Sequence, residues 1–152
     1  MVKILLLVLS LLCGGVVSAQ LIQKEDGRYY DTRGELYSGT YYEYYPSGVK
    51  RIEMNVLNGM KEGETRLFYE NEQIQEIRVF KANAMHGQWI TYNDQGVKVG
   101  VASYAEGLKD GKWEIYDDKG VKRYEMFYKK GVKTGVWRIW DEAGNLVSEK
   151  KY

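Results

Sequence analysis

The sequence predicts an all-β fold, an extended antiparallel meander of 24-residue β-hairpin repeats forming an open twisted sheet, on three observations. Glycine recurs every 24 residues, at Gly39, Gly63, Gly87, Gly111 and Gly135, and a fixed period in this range marks a repeat architecture. Aromatic residues keep the same phase: two positions after each glycine stand Tyr41, Thr65, Trp89, Trp113 and Trp137, and five after stand Tyr44, Phe68, Tyr92, Tyr116 and Trp140. Two further columns follow, Gly48, Glu72, Gly96, Gly120 and Gly144 at nine, and Val56, Phe80, Tyr104, Tyr128 and Tyr152 at seventeen. Thirdly, the local alternation has period two and not 3.6, as in Tyr124, Met126 and Tyr128 set against Arg123, Glu125 and Phe127, which is the pattern of a strand.

Residues 1–19 read as a signal peptide. Lys3 supplies a positive n-region, residues 4–12 an apolar h-region, and Val17-Ser18-Ala19 a small-residue cleavage site before Gln20. The apolar run is too short to span a bilayer, so export to the periplasm or the extracellular space is expected. A retained anchor and lipidation at Cys13 are weaker readings; for the latter, Leu11 and Leu12 stand where a small residue is wanted.

Residues 20–38 form an N-terminal segment with a leading hairpin, from Arg28-Tyr29-Tyr30 through a turn at 31–34 to Glu35-Leu36-Tyr37. Five repeats follow over 39–152, divided as 39–62, 63–86, 87–110, 111–134 and 135–152, and ten strands are expected from them. In the last three repeats, Asp or Asn begins a four-residue turn that ends on glycine, at 93–96, 117–120 and 141–144, as a type I turn with a following positive-φ residue requires. A second reverse turn, with Gly39, Gly63, Gly87, Gly111 and Gly135 as its turn glycines, is expected to join repeats through 59–63, 107–111 and 131–135. The second repeat is the poorest copy, because Glu72 and Asn83 replace glycines and Thr65 replaces an aromatic. Differently shaped turns are expected there.

Composition restricts the function. Removal of residues 1–19 takes Lys3 from the 22 basic side chains and leaves 21 against 21 acidic ones. A neutral chain lacks the basic footprint of nucleic-acid binding, so no nucleic-acid partner is expected. Cys13 is the only cysteine and His86 the only histidine, which leaves no thiol chemistry, no nucleophile and base pair, and no catalytic, metal or cofactor-binding residue to nominate. The acidic turn residues Glu70, Asp94, Asp118 and Glu142 are single carboxylates on successive turns, short of the converging oxygens that calcium needs.

What remains is the aromatic surface. Tyr41, Trp89, Trp113, Trp137, Tyr44, Phe68, Tyr92, Tyr116 and Trp140 form the candidate binding face. Their bland role is structural, with Trp89, Trp113 and Trp137 stacking on one another across neighbouring hairpins. Their sharper role is contact with a protein partner, or with a glycan or membrane surface.

The recurring G-x-W-x-x-Y, turn glycine, aromatic and G-x-x-x-G pattern, over about residues 28–152, resembles the MORN-repeat variant family of bacterial proteins, many of them exported. The resemblance implies a repeat array and is unspecific as to activity, since MORN repeats occur as scaffolds, as lipid-associated modules and beside enzymatic domains. Some members similar to this chain carry the label of toxin-antitoxin system antitoxin, which implies binding and neutralising a toxin. A non-catalytic protein-binding or scaffolding module of the bacterial envelope is the leading expectation. A cell-wall glycan or membrane-surface binder is the alternative, and an antitoxin-like inhibitor the third.

Overall fold

The computed structural model describes residues 20–152. Residues 1–19, where the signal peptide is expected, lie outside the described residues. Ten strands run side by side in one open antiparallel sheet: β3 (Gly39–Tyr44), β4 (Lys50–Leu57), β5 (Met60–Phe68), β6 (Ile74–Lys81), β8 (Gly87–Tyr92), β9 (Lys98–Ala105), β11 (Gly111–Tyr116), β12 (Lys122–Lys129), β13 (Val132–Trp140) and β14 (Leu146–Lys151). Two short strands, β7 (Ala84–Met85) and β10 (Leu108–Lys109), pair with β6 and β9 and complete the twelve. Each strand is bonded to its sequence neighbour, so the contacts are local and the path is a meander.

The turns inside the last three repeats follow the side-chain chemistry of their first residue. Asp117 Oδ1 accepts from the backbone N–H of Lys119 at 3.0 Å and of Val121 at 2.9 Å, and Asn93 and Asp141 hold their turns in the same way. The glycine that closes each turn carries positive φ, between 78 and 86° at Gly48, Gly96, Gly120 and Gly144. Glu72 occupies the same place at 67°, with the same backbone bonds, Tyr69 N–H to Gln73 O and Glu72 N–H to Tyr69 O. The second repeat thus keeps the common turn shape, contrary to expectation, and its non-glycine residue bears the left-handed conformation. Glu72→Gly is expected to stabilise the fold by about 0.5–1 kcal/mol, read as a higher urea midpoint; an unchanged midpoint would mean that the turn carries no strain.

The connections between repeats are tighter than the glycine spacing indicated. Each is a two-residue turn with both φ angles positive, at Asn58-Gly59, Ala82-Asn83, Glu106-Gly107 and Lys130-Gly131, the geometry that matches strand twist. The next glycine, four positions on, is therefore not a turn residue. Gly63, Gly87, Gly111 and Gly135 lie inside a strand pairing, at positive φ from 62 to 102°, where the register slips. Glu125 faces Arg138 while Phe127 faces Thr134, so the Gly135 strand carries two more residues than its partner, a β-bulge. The two glycines of each G-x-x-x-G do different things, one turning the chain and the other bending a strand.

The N-terminal segment also departs from expectation. Strand β1 (Ile22–Gln23) pairs with β2 (Tyr29–Tyr30) in a small sheet of its own, a hairpin not foreseen. The turn after Tyr30 closes as expected, with Asp31 N–H bonded to Glu35 O and Tyr30 bridged to Leu36. This segment docks on the first repeat connection: Tyr29 N–H donates to Gly59 O at 2.8 Å, and Gly59 N–H to Tyr37 O at 2.7 Å. The Gly59–Tyr37 bond recurs along the sheet every 24 residues, from Asn83 to Lys61, Gly107 to Met85 and Gly131 to Lys109.

Little of this single layer is deeply buried. Among the described residues the buried hydrophobic side chains are Met54, Val56, Phe80 and Val101. Stability has to come from rows of neighbours along the sheet more than from a central core.

Candidate functional site

Alternation along a strand sends successive side chains to opposite faces, and the register assigns the aromatic columns accordingly. Trp89 faces Ala102, Trp113 faces Met126 and Trp137 faces Lys150. These residues, with the column at Phe80, Tyr104, Tyr128 and Tyr152, occupy one face. The rings interleave into a ladder of seven, Phe80, Trp89, Tyr104, Trp113, Tyr128, Trp137 and Tyr152, with centroids 4.6–5.4 Å apart and tilted 49–63°, within the favourable range for aromatic pairs. The tryptophans therefore do not stack on one another. A smaller ring separates each pair, because the bulge sets each tryptophan beside the last ring of the preceding repeat.

Each indole is also tied to the backbone. Trp89 Nε1–H donates to Val79 O at 2.9 Å, Trp113 to Ser103 O at 3.0 Å and Trp137 to Phe127 O at 3.1 Å. Cations lie over the rings. Lys109 Nζ is 4.2 Å from the Trp113 centroid and 4.9 Å from Tyr128, Lys133 is 4.5 Å from Trp137 and 5.1 Å from Tyr152, and Lys61 is 4.8 Å from Phe80. These lysines stand 24 or 48 residues apart, with Met85 in the one gap. Sequence reasoning passed over this column, although its period was visible. Beside Met85, Arg78 supplies the cation, 5.3 Å from Trp89. Lys61 has its pKa lowered by burial and by nearby Arg78.

Tyr44, Phe68, Tyr92, Tyr116 and Trp140 lie on the other face. The candidate binding face of nine residues is in fact two faces, because an interval of three along a strand reverses direction. Tyr41, Trp89, Trp113 and Trp137 go one way and the remaining five the other. Thr65, at the tryptophan position of the second repeat, is buried with its Oγ1 unpartnered. The five rings on the second face sit among ion pairs: Lys50 lies 4.8 Å from the Phe68 centroid, Lys98 5.0 Å from Tyr116 and Lys122 5.6 Å from Trp140. Lys122 reaches Glu114 at 2.6 Å and Glu125 at 3.3 Å, and Arg138 joins Glu125 at 2.9 Å to Glu149 at 2.6 Å.

Glu114 is the buried charge of this chain of pairs, 7% exposed. Burial by itself would raise its pKa, but hydrogen bonds and attraction from Lys122 and Lys112 outweigh that and hold the carboxyl below its ordinary 4.5. An acid with a depressed folded-state pKa contributes stability that is complete above its unfolded value and lost as pH falls through the folded one. The stability difference between wild type and Glu114→Gln should accordingly shrink as pH drops below about 4.5, followed by thermal melts across an acid series. A difference independent of pH in that window would show that the pair contributes nothing through charge.

The geometry offers an extended contact surface. Among the described residues no three of His, Cys, Asp and Glu gather to hold a metal. His86 lies at the bulge before β8, its backbone N–H bonded to Val79 O and its buried Nδ1 without a partner.

The period, the bulge and the ladder describe one unit used repeatedly, and a model of the MORN repeat variant matches the chain at residues 37–58, 61–82, 109–130 and 133–152. The chain belongs to the MORN repeat variant family. Each MORN match begins two residues before one of the spaced glycines, Gly39, Gly63, Gly111 or Gly135. Residues 83–108, between the second and third matches, nonetheless form the same strands and bulge. That stretch departs from its neighbours in carrying Met85 for lysine, and Gly100 and Ala102 where the other units have larger side chains. No curated protein matches the chain.

Proposed function

We propose that this MORN protein is a non-catalytic binding module that holds a protein partner along the ladder face, and that it works outside the cytoplasm after export. The observation that supports the reading is a seven-ring ladder on one side of a sheet over whose later repeats no second layer lies among the described residues. The tryptophans stay half exposed, and aromatic surface of this kind is characteristic of the centre of protein interfaces. Ile115, 43% exposed, and Ile139, 38% exposed, extend the apolar surface on the same face. The opposite face is crossed by ion pairs and offers a less apolar surface.

A photo-crosslinking residue placed at Ile115 tests this. The expected result, in cells of the source organism, is a discrete protein adduct from position 115 and none from position 112 on the opposite face. Equal labelling from both, or retention of the protein on purified cell wall or lipid vesicles with no adduct, overturns the protein-binding reading in favour of a saccharide or membrane surface. Export rests on the tripartite pattern of residues 1–19. The mature N-terminus should be Gln20 by sequencing; an intact Met1 in the cytoplasm would refute export and favour an antitoxin-like inhibitor.

A further inference from the structure

Four of the five repeat units place an unbranched side chain beside the ladder tryptophan position: Met54, Arg78, Met126 and Lys150. Met126, for instance, faces Trp113 and is followed along the sheet by Trp137. In the third unit that position is Ala102, and one row along the same face Gly100 replaces what is elsewhere Ile52, Glu76, Tyr124 or Ser148. Both losses fall together and leave a depression of about 330 Å³. Its floor is Gly100 and Ala102, its walls are Trp89, Tyr104 and Trp113, and Ile115 stands at its rim. Gly100 is not needed there for its backbone, since it lacks positive φ and a Cβ would meet only ordinary contacts at 3.7 Å or more.

We propose that this depression is the seat for an unbranched apolar side chain, methionine by best fit, projected from an extended segment of a protein partner. The inference rests on the protein-binding reading and gives it a place. The occupant follows from the chain itself, which fills the equivalent site with methionine in two of its other units. Charge then separates methionine from lysine and arginine. Arg78, 5.3 Å from Trp89, is held by Glu76 at 2.5 Å, whereas Lys109 lies 4.2 Å from Trp113 with no carboxylate paired to it among the described residues, so the cation on the Trp113 wall disfavours a second one. A thioether gains from aromatic contact without that penalty.

The test is an NMR titration of the full chain that follows the indole N–H signals, with acetyl-Gly-Met-Gly-amide as probe. Saturable shifts are expected at Trp89 and Trp113, with Trp137 and Trp140 unmoved. The matching lysine peptide should bind about tenfold more weakly or less. Ala102→Met, which fills the seat from within, should raise the melting temperature and abolish the shifts. Gly100→Ser, a smaller change on the same floor, should weaken binding with the fold intact and covers the case in which Ala102→Met does not fold. The proposal is overturned if the methionine peptide leaves Trp89 and Trp113 unmoved, if both variants bind it as wild type does, or if an N-acetylglucosamine trimer moves those signals instead. A position-115 adduct that persists in a folded Ala102→Met variant would remove the seat while leaving the binding module in place.

Discussion

Replacing Trp113 by alanine should cost about 3 kcal/mol of stability, the lower end of the range for truncating a large aromatic, because the side chain is half exposed. Three contributions disappear together. The ring lies 5.2 Å from Tyr104 and 5.4 Å from Tyr128, its Nε1–H bonds Ser103 O at 3.0 Å, and Lys109 sits over it. Loss at this place also opens the ladder between its two halves, and in an array whose stability comes from adjacent units the middle is the costliest point. Trp137→Ala should cost less, about 2 kcal/mol, since its neighbours on one side are Tyr152 and the exposed strand β14. Urea melts of the two variants decide the matter. Equal losses would mean that the sheet unfolds as a globally packed body and not as coupled neighbours.

Gly59→Ala should be about as damaging, at roughly 2–4 kcal/mol, combining a left-handed residue with overpacking. Gly59 has φ of 75°, and a Cβ there would lie 2.7 Å from Leu36 Cδ2 and 2.9 Å from Tyr29 O. Leu36 is able to swing aside, but the Tyr29 carbonyl belongs to the backbone that docks the N-terminal segment. Gly131→Ala is the control, with φ of 82° and nothing within 4 Å of the added methyl; it should cost only the conformational part, about 1 kcal/mol. Hydrogen exchange separates the two further. In Gly59→Ala the Tyr29 amide, bonded to Gly59 O, should lose protection while β11 to β13 keep theirs. Matching stability losses in the two variants would show that the segment is not held at this point.

Much of the architecture was legible because its causes are local. Asn93, Asp117 and Asp141 specify their turns by bonds to backbone only two and four residues away, and period-two alternation identifies the strands between. The bulge was not legible in that way. Gly59 and Gly63 look alike in the sequence, and only pairing with a neighbouring strand shows that one turns and the other bends. The same ambiguity hid the division of the aromatics. An offset of three, as from Trp113 to Tyr116, crosses the sheet, whereas the offset of fifteen from Trp113 to Tyr128 does not, because the turn between them restores the face. Of the candidate surface, the ring types and the period of the lysine column were readable, but not that Lys109 and Lys133 lie over the tryptophans four residues on, since the intervening bulge sets that geometry.

The indole bonds have a consequence for how such a chain changes length. Each of the three ladder tryptophans donates to a carbonyl ten residues earlier, Val79, Ser103 or Phe127, and those acceptors share the 24-residue spacing of the donors. Excision of residues 87–110 would hand Trp113 the Val79 carbonyl and set its ring against Phe80, partners of the kind it already had. Insertion of a whole unit is equally seamless, while a gain or loss of any other size leaves an indole without its acceptor. The ladder thus acts as a ruler with one graduation, on which the protein can be lengthened or shortened in whole steps without redesigning either side of the join.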